Sequence, residues 1–253
     1  MFGNMEHIDD KKKEESLLDT IKTVFWAIVI TMSIRTFLFE PYKIPSGSMY
    51  PTLQVGDFLF ISKYTYGYSK HSFPFSFPNF KGRIWQDLPE RGDVVVFKYP
   101  GDNKTDYIKR IVGMPGDKIQ VIDGRLHING TPTKREKVGT YTIDEYVILP
   151  VDFTEYKETM PEGKSYNILE LSDNIRLVDN TVEFEIPEGN YFMMGDNRDN
   201  SNDSRRDVGF VPLENIEGKA RFLFYSHDDT VVWYNPISWV RAIRWKRLFN
   251  KIK

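Results

Sequence analysis

The sequence predicts a mainly β protein, a barrel or sandwich with an inserted β-rich lobe, preceded by one N-terminal transmembrane helix. Three observations predict this. Residues 17–39 read LLDTIKTVFWAIVITMSIRTFLF, an apolar run that would be about 34 Å long as a helix, against a hydrocarbon core of about 30 Å. Beyond Pro41 helical periodicity largely disappears, and short β-branched and aromatic runs bounded by Gly, Pro, Asp and Asn take over. Turn chemistry punctuates those runs: Met114-Pro115-Gly116-Asp117 suits a type II turn, and Asp123-Gly124 a primed hairpin turn.

The elements follow in order. Residues 1–16 form a polar tail and 17–39 the anchor. Lys22 and Arg35 lie near its two ends, where long side chains reach the headgroups while the uncharged stretch 23–34 stays in lipid. Lys11, Lys12, Lys13 and Lys22 precede the span while Arg35 and Lys43 follow it, so the positive-inside bias keeps the N-terminus cytoplasmic. Glu40-Pro41-Tyr42-Lys43 offers no small-x-small cleavage site, which favours an uncleaved anchor over a secretory signal. Strands are expected over 58–62, 93–98, 107–112, 118–122, 125–128, 191–194 and 221–225, a spacing suited to a barrel or sandwich. Residues 131–182 are polar, rich in Lys and Glu, weak in strand signal and without candidate chemistry. They belong to an inserted lobe spanning 118–187, which splits the main domain into 40–117 and 188–253.

Composition excludes several functions. Thirty-four Lys and Arg balance 36 Asp and Glu, leaving no basic excess to steer the chain onto nucleic-acid phosphate. The absence of cysteine excludes a thiol protease, a CxxC redox site and a thiolate zinc site. The four histidines, His7, His71, His127 and His227, have no partner at metal-ligand spacing, so neither metal nor cofactor is expected.

Three patches carry candidate chemistry. In Ile44-Pro45-Ser46-Gly47-Ser48-Met49-Tyr50-Pro51-Thr52-Leu53, two prolines and a glycine forbid a regular helix and present serine on a shaped turn. A Ser/Gly linker is the bland alternative, but Ile44, Met49 and Leu53 need something to pack on. A serine nucleophile requires a base. His227, beside Asp228 and Asp229, is the one histidine worth testing. Lys109 competes with it: on a strand it shares a face with Tyr107 and Ile111, and burial can lower a lysine pKa until the neutral amine accepts a proton. Its alternative role is a strand-edge gatekeeper. The third patch, residues 194–206, is dense in Asp, Asn, Ser and Arg. Counted as a calcium loop it has Ser201 where the sharp-turn glycine belongs. A solvated Asx-rich loop and a buried polar network both remain open.

Together and in this order after an anchor, these blocks resemble the bacterial type I signal peptidases (leader peptidases), Ser/Lys proteases that remove signal peptides from exported precursors. The resemblance runs through PSGSMYPTL, GDFLFISKY, RGDVVVFKYP, DYIKRIVGMPGDKI, GDNRDNSNDSR and GFVP, and leaves the lobe and termini largely uncovered. It implies a membrane-bound endopeptidase on a signal-peptidase-like β fold, cutting after a small-x-small motif through an acyl-enzyme. By motif, Ser48 resembles the nucleophile and Lys109 the general base, and Ser46 with the Ser48 N–H the oxyanion hole. Ser201 resembles the residue that orients the lysine amine. Asp203 and Arg205 resemble a bracing ion pair, with Asp196 and Arg198 as further members of the network. Tyr42, Ile44, Met49, Leu53, Tyr107 and Ile108 match the walls of the substrate groove. The implied partners are signal-peptide-bearing precursors and membrane lipid, with no nucleic acid and no metal, and the implied location is the bacterial inner (plasma) membrane with the catalytic domain outside. A catalytically inactive, membrane-tethered binding protein on the same fold is the alternative. The Phe-rich stretch 73–80 and the C-terminal Trp233, Trp239 and Trp245 among Arg241, Arg244 and Arg247 have the composition of segments that enter lipid headgroups.

Overall fold

The structure, a computed structural model, describes residues 3–144, 150–171, 176–231 and 234–252; the side chains of 3–16, Phe75, Arg176 and Leu177 are outside that description. Of the residues singled out above, His7, Lys11, Lys12, Lys13 and Phe75 have undescribed side chains, and Trp233 lies outside the described residues.

Helix α1 (Gly3–Phe37) contains an apolar stretch, Leu17–Phe37, whose large apolar side chains are almost all exposed and in which Thr36, next to the end, is buried. The helix ends at Phe37 rather than at 39. Pro41 disfavours helical backbone at the residue before it, and Phe39 already pairs in the first strand. Tyr68 Oη donates to the Phe37 carbonyl at 2.7 Å, satisfying one of the orphan acceptors of the last turn. Arg35, expected to reach for headgroups, bonds Glu40 at 2.6 Å, and Glu40 also pairs with the buried Lys63.

Among the described residues fourteen strands follow: β1 (Phe39–Lys43), β2 (Asp57–Ser62), β3 (Val94–Lys98), β4 (Asp106–Gly113), β5 (Lys118–Ile122), β6 (Arg125–Ile128), β7 (Thr131–Pro132), β8 (Lys134–Ile143), β9 (Val151–Thr159), β10 (Ser165–Glu170), β11 (Phe184–Glu185), β12 (Asn190–Met194), β13 (Val211–Pro212) and β14 (Ile216–Ser226). They build a seven-stranded sheet in the order β1-β2-β14-β3-β4-β12-β13, a four-stranded sheet β11-β5-β6-β7 and a three-stranded sheet β10-β9-β8. The fold is mainly β, as the strand runs and turns lead one to expect. Gly116 has φ 82°, as the third position of a type II turn requires, and Asp123 and Gly124 are both at positive φ, as the primed turn requires.

The three-stranded sheet departs from expectation. Its two long strands, β8 and β9, are mostly exposed or half-exposed, so they lack the apolar alternation that reveals a strand. Their ladder instead sets opposite charges across from one another, Arg135 opposite Glu158 and Glu136 opposite Lys157.

One core cluster lies directly beneath the turn that carries Ser48. Ile44, Met49, Leu53, Leu59, Ile61, Val94, Val96, Ala220 and Leu223 are buried there, with Tyr42, Ile108 and Ile252 packed at its edge. At about 1.5–3 kcal/mol for each large apolar side chain removed from water, this cluster holds β1, β2, β3 and β14 to the segment following β1.

Candidate active site

Ser46 is extended and exposed, and the chain then makes a single 3-10 turn, Gly47–Met49. Tyr50 N–H closes the turn on the Gly47 carbonyl at 3.2 Å, and Leu53 N–H reaches the Met49 carbonyl at 2.9 Å. Met49 is fully buried, which pins the turn, while Ser48 keeps 8 % exposure at the surface of the cluster. The Ser48 N–H stands in the first turn, where backbone donors have no intrahelical acceptor.

Strand β4 brings Lys109 to this turn. Val95 of β3 lies opposite it in the ladder, and the side chain is 4 % exposed. Lys109 Nζ lies 2.7 Å from Ser48 Oγ and 2.9 Å from the Ile108 carbonyl, with the Tyr107 ring 5.5 Å away. Burial pushes the amine down to about 8, against the opposing pull of the Asp203 and Asp196 carboxylates. His227 is elsewhere: its Nδ1–H donates to the Asp228 carbonyl and its ring packs on Phe58 and Tyr225.

The loop after β12 is a buried polar network, which resolves the alternatives left open for residues 194–206. Asn197 holds the serine turn directly, its N–H on the Ser48 carbonyl and its Nδ2 on the Gly47 carbonyl, both at 3.1 Å. Asp203 accepts from Gly195 N–H at 3.0 Å and from Arg205 Nε and Nη2 at 3.0 and 2.8 Å. Burial works against the Asp203 carboxylate, yet Arg205, the Gly195 N–H and the adjacent Ser201 hold its pKa below the usual carboxylate range. Arg205 also donates to the Arg198 carbonyl at 2.5 Å. Ser201 is buried beside the site next to the Asp203 carboxylate, but the lysine amine meets Ser48 Oγ and the Ile108 carbonyl rather than the Ser201 hydroxyl.

Two charged residues of the network were missed in the sequence. Arg110 forms a fork on Asp196, Nε to Oδ1 at 2.8 Å and Nη2 to Oδ2 at 2.7 Å, with both side chains 1 % exposed. Thr52 Oγ1 donates to the same carboxylate at 2.6 Å. The signal for Arg110 was its place inside the apolar strand run, on the face opposite Lys109, where a cation must be paired. Glu158 of β9 pairs with Arg198, so Asp196 and Arg198 are not partners of each other. Nothing in the local sequence separates Glu158 from the other acids of its segment.

The residues expected as groove walls divide in two. Ile44, Met49 and Leu53 are at most 2 % exposed and form a floor, whereas Tyr42, Tyr107 and Ile108 are half-buried and face the surface. Tyr42 donates to Glu217, whose carboxyl is raised by burial and by nearby Asp106. Among the described residues, β1 pairs on one side only, and residues 106–109 of β4 have no partner on the edge away from β3, because β12 joins β4 only from Arg110 onward. Two strand edges thus flank the Ser48 turn.

The profile of the signal peptidase family, peptidase S26, matches residues 17–225, a stretch that includes the anchor, both flanking edges and the polar loop. The chain belongs to the signal peptidase family. A signal peptidase I of Rickettsia typhi is 39 % identical to it over 96 % of this chain and 97 % of its own, and one of Rickettsia akari is 41 % identical over 92 % and 94 %. The crystal structure of a signal peptidase I from Enterococcus faecalis has 25 % identity, covers 53 % of this chain and 97 % of its own, and superposes with a TM-score of 0.30. Membership makes the chain a serine endopeptidase of the membrane, and its apolar N-terminal helix is long enough to span one. Within the family frame, Arg110 and Glu158 are the charged residues that complete the polar network around the serine turn.

Proposed function

We propose that the protein cleaves N-terminal signal peptides from exported precursors after a small-x-small motif, with Ser48 as nucleophile and Lys109 as general base. The observation that carries this reading is the contact of Lys109 Nζ with Ser48 Oγ at 2.7 Å, in buried surroundings that bring the ionisation of the amine down to about 8. A precursor enters as an extended strand and hydrogen-bonds to the free edges of β1 and of residues 106–109, as peptides add to open sheet edges. Tyr42, Tyr107 and Ile108 flank it, and the packed floor of Ile44, Met49 and Leu53 leaves room only for small side chains next to the scissile bond.

Neutral Lys109 takes the Ser48 proton as Oγ attacks the scissile carbonyl carbon. The oxyanion is stabilised by the Ser48 N–H and the Ser46 hydroxyl, and such preorganised donors are each worth about 3 kcal/mol. As the intermediate collapses, the C–N bond breaks and the Lys109 ammonium protonates the leaving amine. The signal peptide remains as an ester on Ser48. Lys109 then deprotonates a water that attacks the ester, and its proton returns to Ser48 Oγ as the C–O bond breaks. Ser201, Asp203, Arg205, Asp196 and Arg198 hold the loop whose Asn197 fixes the serine turn.

The anchor leads through β1 straight to the nucleophile, so a substrate held in the bilayer meets the site at the membrane surface. With residues 1–16 cytoplasmic, the domain formed by 40–117 and 188–253 and its lobe 118–187 lie on the outer side of the bacterial plasma membrane. Exposed Phe77, Trp239, Trp245 and Phe249 supply apolar contacts with lipid. The test is cleavage of an exported precursor with an Ala-x-Ala site by the detergent-solubilised protein, beside Ser48→Ala and Lys109→Ala. Product from the unsubstituted protein alone supports the reading. Cleavage surviving in either variant removes that residue from its role, and no cleavage by any of the three removes the reading itself.

A further inference from the structure

The C-terminal segment does more than present cations and tryptophans to a membrane. Arg247, in the 3-10 turn Trp245–Arg247, points inward with 19 % side-chain exposure onto the fully buried carboxylate of Asp57, the first residue of β2. Its Nε lies 3.1 Å from Asp57 Oδ1 and its Nη2 2.5 Å from Oδ2. Nη2 also donates to the Thr52 carbonyl at 3.0 Å. Asp57 accepts in addition from Ser226 Oγ at 2.6 Å and Gln54 N–H at 2.8 Å, and Arg244 Nη1 donates to the Val55 carbonyl at 2.7 Å. The segment is itself laid on β14: Phe249 N–H bonds the Leu223 carbonyl, Leu223 N–H the Asn250 carbonyl and Ile252 N–H the Arg221 carbonyl, at 2.8, 3.0 and 2.9 Å. Ile252 then packs at the edge of the core cluster that contains Ile44, Met49 and Leu53.

Thr52 is therefore held from both sides. Its carbonyl is bound by Arg247, and its hydroxyl by the Asp196 carboxylate that Arg110 grips. Between Thr52 and Ser48 lies one turn of chain, closed by the Leu53 to Met49 bond. We infer that Arg247 is a positioning residue for the Ser48 turn, acting through Thr52 and Asp57. The inference rests on Ser48 being the nucleophile. A lysine could neutralise Asp57 but is a point charge without a planar fork, so it does not hold the carboxylate and the carbonyl together. Nucleophile placement tolerates about 0.5 Å, and a 1 Å displacement can cost about a hundredfold in rate.

The test compares full-length protein in detergent with its Arg247→Ala, Arg247→Lys, Lys246→Ala and Ser48→Ala variants on an Ala-x-Ala precursor, recording kcat, KM and melting temperature. The expected result is a fall in kcat of tenfold or more for both Arg247 variants with KM within twofold, and no change for Lys246→Ala, whose side chain is exposed. Millimolar guanidinium should restore kcat to Arg247→Ala and leave the unsubstituted protein unchanged, which a merely destabilised fold would not show. A folded Arg247→Lys with kcat within twofold of the unsubstituted protein, or a loss in Arg247→Ala that guanidinium deepens, overturns the inference. Should Arg247→Ala fail to fold, Arg247→Lys alone decides. Cleavage retained by Ser48→Ala would instead unseat the nucleophile, whatever the Arg247 variants do.

Discussion

Glu158 of β9 and Arg198 of the loop after β12 form an ion pair withdrawn from solvent, with 0 % and 4 % of the two side chains exposed. Tyr166 Oη and Thr133 Oγ1 donate to the same carboxylate at 2.9 and 3.0 Å. The pair ties the charged three-stranded sheet to the loop that carries Asn197, Ser201 and Asp203. A buried pair adds little beyond an apolar substitute, but removing one partner strands the other charge. Glu158→Gln should therefore lower unfolding free energy by about 3–5 kcal/mol in urea titrations. A loss under about 1 kcal/mol would show that Arg198 finds other compensation.

Lys109 as the proposed base predicts a particular pH dependence. Its folded pKa of about 8 lies below the ordinary 10.5, so the neutral amine is the major form only above pH 8. kcat/KM should rise with pH along one ionisation near 8 and level off above it. Lys109→Arg should be inactive across the range, because guanidinium does not deprotonate. An acidic limb centred elsewhere, or one that survives Lys109→Ala, assigns the base to another group.

The same burial makes Lys109 costly to the fold. Because the folded pKa is depressed, protonated lysine is penalised at every pH below about 8, and the penalty fades as pH rises from there to 10.5. Lys109→Met, of similar volume and without charge, should melt higher than the unsubstituted protein at pH 6–7, by up to about 3 kcal/mol, with the gain vanishing near pH 10. Melting curves that stay parallel across this range would refute the desolvated amine.

Gly195 has no room for a side chain. A Cβ there would stand 2.3 Å from Ser201 Oγ and 2.5 Å from the Ser48 carbonyl oxygen, the second being backbone that can only move as a unit. Gly195→Ala should lower kcat by about a hundredfold, with a smaller effect on KM, since it displaces the Ser48 turn rather than the strand edges. Steady-state kinetics on an Ala-x-Ala precursor measures this, and kcat within threefold of normal would mean that the turn absorbs the clash.

Trp239, Trp245 and Phe249 are 48 %, 63 % and 73 % exposed on the C-terminal segment whose Arg244 and Arg247 face the protein. Replacing all three by Ser in a chain that begins at Phe39 should weaken cosedimentation with anionic lipid vesicles by severalfold while sparing the Arg247 contacts. Unchanged cosedimentation would assign lipid contact elsewhere.

The sequence alone determined the anchor, the seven apolar strand runs, both tight turns and the blocks around Ser48, Lys109 and Asp203. Each rests on a property of neighbouring residues: an apolar run, alternation along a strand, or a proline or glycine that narrows the backbone at one position. Tertiary structure decided which charges meet. Arg198 pairs with Glu158 across 40 positions of sequence, Arg110 with Asp196 across 86 and Arg247 with Asp57 across 190. It also set the end of α1 at Phe37, turned half the expected groove wall into a floor and left Ser201 unbonded to the lysine amine. The strands carrying Glu158 and its neighbours were illegible because a half-exposed ladder of opposed charges has no apolar period. An ion pair chooses its partner by where sheets and loops come to rest, and that arrangement is a property of the whole fold.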